Sequence, residues 1–371
     1  MKILTIVGTR PEVIRLSEVI KRLDSAPRVT HIVVHTGQNY DYELNRIFFE
    51  DLGLREPDYR LEIQGASLGA RLGSMFSAVD PILDKEAPDA VLVLGDTYSC
   101  LASILVKSKR IPLFHMEAGN RCHDMNVPEE TNRRIVDHIA DINMPYSEHA
   151  REYLAKEGVP RERIIKTGSP MREVLNANMR KILKSSVLSA MGLSERAYVV
   201  CSIHRAETVD DPARLRSVFS AISEIASADT ERRVIVSLHP RTQDRLKRED
   251  ILFPANVELL KPLSFTDYNR LQMSSAFVLS DSGTISEESA ILGFRALNVR
   301  DTHERPEAMD CARVILTGTA TKDIVRASEI VETLEGSSEP VRDYDPERVS
   351  EKVLKILLSY TPYINTFVYR K

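Results

Sequence analysis

The chain has 371 residues, 43% hydrophobic and 28% charged, with a net charge of -4; the length suits two domains and the composition an ordinary soluble protein, neither disordered nor membrane-embedded. The slight acidic excess and the lack of any long basic run leave no footprint for nucleic acid, so an anionic ligand has to be held by a few placed groups. No apolar run approaches the roughly 20 residues of a membrane-spanning helix, and Cys100, Cys122, Cys201 and Cys311 form no CxxC pair, which argues against zinc or a disulfide framework and fits a reducing cytoplasm.

The opening "MKILTIVGTRPE" meets Gly8 and Arg10 after a short apolar run, without a small-residue cleavage pattern, and reads as a first strand, Ile3–Val7, not a leader. An amphipathic pattern over Pro11–Leu23 predicts a helix. Further strand-like runs follow at Ile32–His35, Ala90–Leu94, Pro112–Met116, Ile142–Pro145 and Ile164–Thr167. Gly and Pro in "TGSPMREV", Thr167–Val174, break the pattern. It restarts at Tyr198–Ile203, Val234–Leu238, Val257–Leu260, Phe277–Ser280, Ala296–Val299 and Val314–Leu316. A last helix, Pro346–Leu358, leads into the aromatic tail "YTPYINTFVYRK", expected to cross back onto the first domain. Short β-branched runs alternating with longer amphipathic segments are the signature of βα units. The expectation is α/β: two Rossmann-like domains, the first over 1–168 completed by the tail 355–371, the second over 169–354.

Open α/β sheets bind ligands beyond the carboxyl ends of their strands, and here those ends concentrate ionisable groups. "LSDSGTISEES" runs from a strand through a Gly-containing turn into a helix, which offers Ser282, Gly283 and Thr284 to a phosphate; an ordinary helix cap reads the same way. "GTRPE" has Gly8 for a tight turn and Arg10 as a fixed cation. Neither is a P-loop or GxGxxG, so ATP and NAD are poorly supported and no cofactor is expected. Glu288 is placed to accept ribose hydroxyls, or is a solvated helix carboxylate. Arg300 and Arg305 in "RDTHERPE" suit a diphosphate, or form a surface network with Asp301 and Glu304. Together these features suggest a nucleoside diphosphate on the second domain.

The first domain offers carboxylates: Asp96 after "VLVLG", Glu117 after "PLFHM", and Glu129 just after Pro128 in "PEETNRRIVDHIA". Partial desolvation suits such groups to moving protons. Asn132 and Arg133 share a helix face with Glu129; the alternative is that Glu129 and Glu130 merely complement the helix N-terminus. His115 and Glu117 alternate along a strand, but with Asp96 they make a poor metal set, and no metal is expected. His204 follows a strand and is either a phosphate donor and acid or a satisfied structural histidine.

Taken together, "GTRPE", "GDT", "HMEAG", "PEExNR", the His204-Arg205 pair, "DSGxxxEE" and "RDTxERPE" resemble, in order and context, the non-hydrolysing UDP-N-acetylglucosamine 2-epimerases. The resemblance runs from Gly8 to Glu307. It implies a GT-B-like fold with two domains facing across a cleft, a UDP-sugar substrate and a homodimer. Asp96, Glu117 and Glu129 would be catalytic carboxylates, with His204 a diphosphate partner or acid. Arg10, Ser282, Gly283, Glu288 and Arg305 would hold UDP, with Asn132, Arg133, Arg205, Thr284 and Arg300 also against the substrate. The reaction implied is loss of the C2 hydrogen and of UDP to give a 2-acetamidoglycal, then re-addition with C2 inverted. The segment between Glu117 and "PEE" is short, Gln38-Asn39 replaces the Gln-His pair of the activating site, and "NRRIVDHIADINMPYSEHAREYL" and "HTGQNYDYELN" resemble the branch that makes UDP-N-acetyl-L-fucosamine from UDP-2-acetamido-2,6-dideoxy-L-talose for capsule and O-antigen. UDP-N-acetylglucosamine or a diacetamido-uronate is the alternative substrate. A GT-B glycosyltransferase needs fewer sugar-side carboxylates, and a non-catalytic UDP-sugar sensor would need none.

Overall fold

The computed structural model describes residues 1–37, 49–334 and 339–371. The chain divides into two compact units, Met1–Asn176 with Asp343–Lys371, and Ala177–Arg342.

The first unit holds β1 (Lys2–Val7), β2 (Thr30–His35), β3 (Tyr59–Arg60), β4 (Ala90–Leu94), β5 (Leu113–Met116) and β6 (Ile142–Met144). All pairs are parallel, in the order β3-β2-β1-β4-β5-β6. Continuous burial along β1 and β4 is what helices on both faces of a parallel sheet impose. The second unit holds β7 (Tyr198–Ser202), β8 (Arg233–Ser237), β9 (Val257–Leu260), β10 (Val278–Ser280), β11 (Ala296–Asn298) and β12 (Ile315–Leu316). Its order is β12-β11-β10-β7-β8-β9, again parallel throughout. Each unit is therefore Rossmann-like, and two such units in one chain make the fold class GT-B-like. The strand order reverses between β1 and β4 in one sheet and between β7 and β10 in the other, and such switch points are where open sheets bind ligands.

Three sequence expectations need correction. Ile164–Thr167 is not a strand: Ile165 N and Thr167 N donate to Asn143 O and Pro145 O at 2.8 and 3.0 Å, but only the isolated bridge Asn143–Ile164 forms. The sixth strand is instead β3, two residues long and too short to leave a periodic signal. The units also do not divide at 168/169 and 354/355. The helix Met171–Lys184 crosses the boundary, and its first turns are bound to the returning segment: Ser169 N donates to Asp343 O at 2.9 Å, Arg172 Nε to Tyr344 O at 3.1 Å, and Ser350 N to Glu173 at 2.8 Å. Those bonds assign residues through Asn176, and those from Asp343 onward, to the first unit. The helix Val349–Ile364 packs on the helix Arg10–Asp24, where Arg22 Nε meets Glu351 at 2.6 Å, and the Tyr369 hydroxyl donates to the buried Asp141 at 2.8 Å. Among the described residues, no helix is long and apolar enough to cross a membrane.

Candidate active site

At the switch point of the first unit the chain leaves β1 through Gly8. The hydroxyls of Thr36 and Ser99 bond each other at 2.7 Å against this residue, and a Cβ at position 8 would lie 1.8 Å from Ser99 Oγ, so only glycine fits. Gly8 N and Thr9 N donate to Glu12 Oε2 at 2.6 and 2.7 Å, and Thr97 Oγ1 donates to Glu12 Oε1 at 2.6 Å. Glu12 thus ties the end of β1 to the end of β4. Burial pushes its carboxyl up, more than these donors pull it down. Pro11 starts the helix, where its missing N–H costs nothing, and Arg10 is its half-buried first residue.

After β4, Gly95 turns the chain at φ +80° and presents Asp96. Asn132 Nδ2 donates to the Asp96 carbonyl at 2.9 Å, while Arg133 Nε and Nη2 clamp Asp96 Oδ2 at 3.0 and 2.6 Å. Both donors are buried on the helix Pro128–Ile139, one turn beyond the half-buried Glu129. In this structure Asn132 and Arg133, expected against the substrate, hold the catalytic candidate.

His115 and Glu117 do not share a strand face. Glu117 has φ +63°, which breaks the alternation, and its carboxylate turns to Arg15 Nη1 and to Asn120 Nδ2 at 3.3 Å. A Cβ on Gly95 would lie 3.6 Å from Glu117 Oε2, so the Asp96 turn and Glu117 are neighbours. The His115 ring is committed elsewhere, Nε2 to the Gly95 carbonyl at 2.8 Å and Nδ1 to Asp137 at 2.9 Å. Asp137 also receives Arg121 Nη1 at 2.7 Å and Gly119 N at 3.2 Å. Burial pushes the Asp137 carboxyl up, but His115 and Arg121 outweigh it and hold it below its usual value. Among the described residues, no group of three or more His, Cys, Asp or Glu is arranged to hold a metal ion.

Of the two glutamates that open the helix Pro128–Ile139, the one turned fully inward is Glu130, at 0% exposure. It accepts from Cys122 N at 3.1 Å, Arg133 Nη1 at 3.1 Å, and Arg134 Nε and Nη2 at 3.1 and 2.9 Å. Its burial raises the carboxyl pKa, but these donors overcome that and hold it low.

The second unit has a matching switch point. Asp281, fully buried just after β10, accepts from His204 N at 3.0 Å and Arg205 N at 2.8 Å, with His204 Nδ1 at 3.2 Å. It holds the turn after β7, and His204 remains about a third exposed, at 36%. Arg205 leans over the next turn: a Cβ on Gly283 would lie 3.2 Å from its Nη2. The hydroxyls of Ser282 and Thr284 bond each other at 2.9 Å ahead of the helix Ile285–Leu292. Glu288 is buried, not solvated, and receives Gln272 Nε2 at 3.0 Å. Arg300 and Arg305 are not surface residues, as their alternative reading had them. Arg300 is buried with both ends of its fork on Glu304, at 2.7 and 2.9 Å, and Arg305 is buried 3.4 Å from Glu287. Asp301 instead accepts from Thr319 N at 3.1 Å.

The structure thus gathers Asp96, Glu117, Asn132 and Arg133 around the first switch point, and His204, Arg205, Ser282, Gly283 and Thr284 around the second. The residues that hold them, Glu12, Arg15, Glu130, Asp137 and Asp281, were not singled out as site residues from the sequence. Gln38-Asn39, offered in place of the activating-site pair, lies outside the described residues.

Residues 21–358 match the family model described as UDP-N-acetylglucosamine 2-epimerase. The chain belongs to this family. It is 36% identical to the UDP-2,3-diacetamido-2,3-dideoxy-D-glucuronate 2-epimerase of Pseudomonas aeruginosa, over 88% of this chain and 91% of that one. It resembles the structure of the UDP-N-acetylglucosamine 2-epimerase from Rickettsia bellii with a TM-score of 0.92 and 44% identity, covering 100% of both chains. It also resembles the Methanocaldococcus jannaschii UDP-GlcNAc 2-epimerase in complex with UDP-GlcNAc and UDP, with a TM-score of 0.90 and 31% identity over 96% of this chain and 99% of that one. As a member of the 2-epimerase family the chain is an enzyme, an isomerase that inverts C2 of a UDP-2-acetamido sugar.

Proposed function

We propose that the chain interconverts UDP-N-acetylglucosamine and UDP-N-acetylmannosamine by eliminating and re-adding UDP. The observation that carries the chemistry is the pair of carboxylates at one switch point, Asp96 and Glu117, each held by a guanidinium, that of Arg133 and of Arg15. The C2 hydrogen has no adjacent carbonyl to acidify it, so positive charge must develop at C1 as UDP leaves before a carboxylate can take the proton. Anionic groups beside the sugar stabilise that charge, and prearranged ones do so without reorganisation. The C1–O bond breaks with its electron pair going to UDP, and a C1=C2 double bond forms. Protonation of the opposite face and return of the diphosphate oxygen to C1 complete the inversion. Asp96, Glu117 and Glu129 serve the sugar. His204 serves the diphosphate as donor or acid, and Arg10, Arg205, Ser282, Gly283, Thr284, Glu288, Arg300 and Arg305 serve UDP.

The choice of sugar follows the relatives, one of which is a UDP-GlcNAc 2-epimerase in complex with UDP-GlcNAc and UDP. The 6-deoxy-L-talose substrate rests on a likeness of sequence segments, on Gln38-Asn39 and on the short Asn120–Val127 segment, the last of which is tied to its own unit by Arg121 on Asp137 and Glu157 and by Cys122 N on Glu130. That wiring accounts for the segment's course without any call on a particular sugar. The product supplies polysaccharide synthesis in the cytoplasm, and the enzyme acts as a homodimer, which light scattering would check.

The test is proton NMR in deuterated water with UDP-N-acetylglucosamine, UDP-2-acetamido-2,6-dideoxy-L-talose and a UDP-2,3-diacetamido-uronate in parallel tubes. The expected result is a C2 epimer carrying deuterium at C2, fastest from UDP-N-acetylglucosamine. Faster exchange in another tube replaces the sugar. No exchange in any tube, or UDP release only on adding a sugar acceptor, sinks the reaction itself.

A further inference from the structure

We propose that Glu130 is a positioning residue for the epimerisation, acting through Arg133 on Asp96; this rests on the reading of Asp96 as a catalytic carboxylate. The argument starts from its cost. A glutamate in a first helical turn complements the helix dipole while fully solvated, yet Glu130 is completely removed from water, and desolvating a carboxylate costs several kcal/mol unless its partners recover it. Those partners are specific. Arg133 and Arg134 lie three and four positions on, where helix geometry brings side chains together, and both guanidiniums bond it.

Arg133 is the link. Its Nη1 goes to Glu130 while its Nε and Nη2 go to Asp96. A guanidinium is planar and its donors are fixed in direction, so anchoring Nη1 determines where the other two point. Asn132, the neighbouring residue, fixes the Asp96 carbonyl, and His115 fixes the Gly95 carbonyl of the peptide leading into it. Asp96 is therefore held at its carboxylate and at both flanking peptide groups, and Glu130 controls the carboxylate hold. On its other side Glu130 accepts from Cys122 N, with Cys122 Sγ at 3.4 Å, and so also pins the segment that follows Glu117. With Glu130 neutral, Arg133 loses the anion that anchors its Nη1, shifts toward Asp96, and draws that carboxylate out of line.

The experiment compares Glu130→Gln, Glu130→Asp, Arg133→Met, Glu130→Gln combined with Arg133→Met, and Asp96→Asn in the full-length enzyme, by C2 deuterium exchange, by kcat and KM for UDP-N-acetylglucosamine or whichever sugar exchanges fastest, and by calorimetric UDP affinity. The expected result for Glu130→Gln is a kcat lower by about 10²-fold, the scale of a small misplacement of a catalytic group, with KM and UDP affinity unchanged and part of the rate recovered in Glu130→Asp. Added to Arg133→Met, the Gln substitution should have no further effect, because neighbours in one chain of action are not additive. A full additional loss in that background overturns the proposal. So does a loss in Glu130→Gln that disappears at low temperature together with a fall in Tm, since that marks a purely structural role. If Asp96→Asn retains full activity, the reading of Asp96 fails and this proposal with it, whereas an inactive Asp96→Asn beside an unaffected Glu130→Gln overturns the proposal alone.

Discussion

Arg15 and Glu117 stand 102 positions apart in sequence and form a buried ion pair, with side chains 7% and 8% exposed. Glu117 has left the strand in a left-handed conformation to reach it. The contact joins the helix after β1 to the loop after β5 and fixes the position of a catalytic candidate.

Replacing Arg15 with Met should therefore strand a buried carboxylate, at a cost of about 3–5 kcal/mol. Urea denaturation of Arg15→Met measures this. Adding Glu117→Gln should recover part of the stability but none of the activity, and a double variant as unstable as the single one would count against the pairing.

Gly8→Ala should destabilise the first unit, because the new Cβ would lie 1.8 Å from Ser99 Oγ and 2.3 Å from Thr36 Oγ1. Overpacking of this kind costs about 1–3 kcal/mol or more. Thermal melting checks it, and a variant as stable as the parent would contradict the geometry.

The acid response has two opposing parts. Glu130, Asp137 and Glu157 have folded pKa values below their usual ones, so each contributes stability that is present above its unfolded pKa and lost as pH falls through the folded value. Glu12 runs the other way. Its folded pKa is raised, so its contribution is full below the unfolded value of about 4.5 and is lost as pH rises through the folded value. Glu12→Gln should abolish that decline above pH 4.5 and leave the low-pH loss intact. Denaturation midpoints from pH 3 to 8 measure both.

Asp281→Ala should weaken UDP binding. It removes the acceptor for the backbone N–H groups of both His204 and Arg205, and a buried donor left unsatisfied costs about 1–3 kcal/mol. Asp281→Asn, which keeps one acceptor oxygen, should fall between. Calorimetric titration with UDP decides, and equal affinity in all three proteins would show that the turn stands without Asp281.

Much of the fold was legible because parallel strands buried on both faces are unbroken apolar runs, and Ile3–Val7 and Ala90–Leu94 stand out for that reason. Tyr59–Arg60 did not, since two residues have no period. Candidate site residues lie just past the strands because open sheets bind ligands beyond the carboxyl ends of their strands, where the strand order reverses. What that reading missed is what a residue holds. Glu12 carried a signal, lying three positions after Thr9 as a capping box requires, and Asp281 sat inside a quoted turn. Arg15 and Asp137 carried none, because their partners lie on other elements. That Glu130 is buried and Glu129 only half-buried had no signal in the sequence, where both stand in one helical turn.

The second unit is an insertion within the first. Residues Ala177–Arg342 interrupt a unit that closes only with Asp343–Lys371. On the ribosome, where domains fold as they emerge, the inserted unit can complete its own sheet while its host still lacks the helix that covers Arg10–Asp24. The helix Val349–Ile364 thus finishes a unit that was begun before the insertion, and its closure, Arg22 to Glu351, joins residues 329 positions apart, a kind of contact that slows folding. The carboxylate pair at the first switch point is thus built on a scaffold that the inserted unit interrupts and that only the segment beyond the insertion clasps.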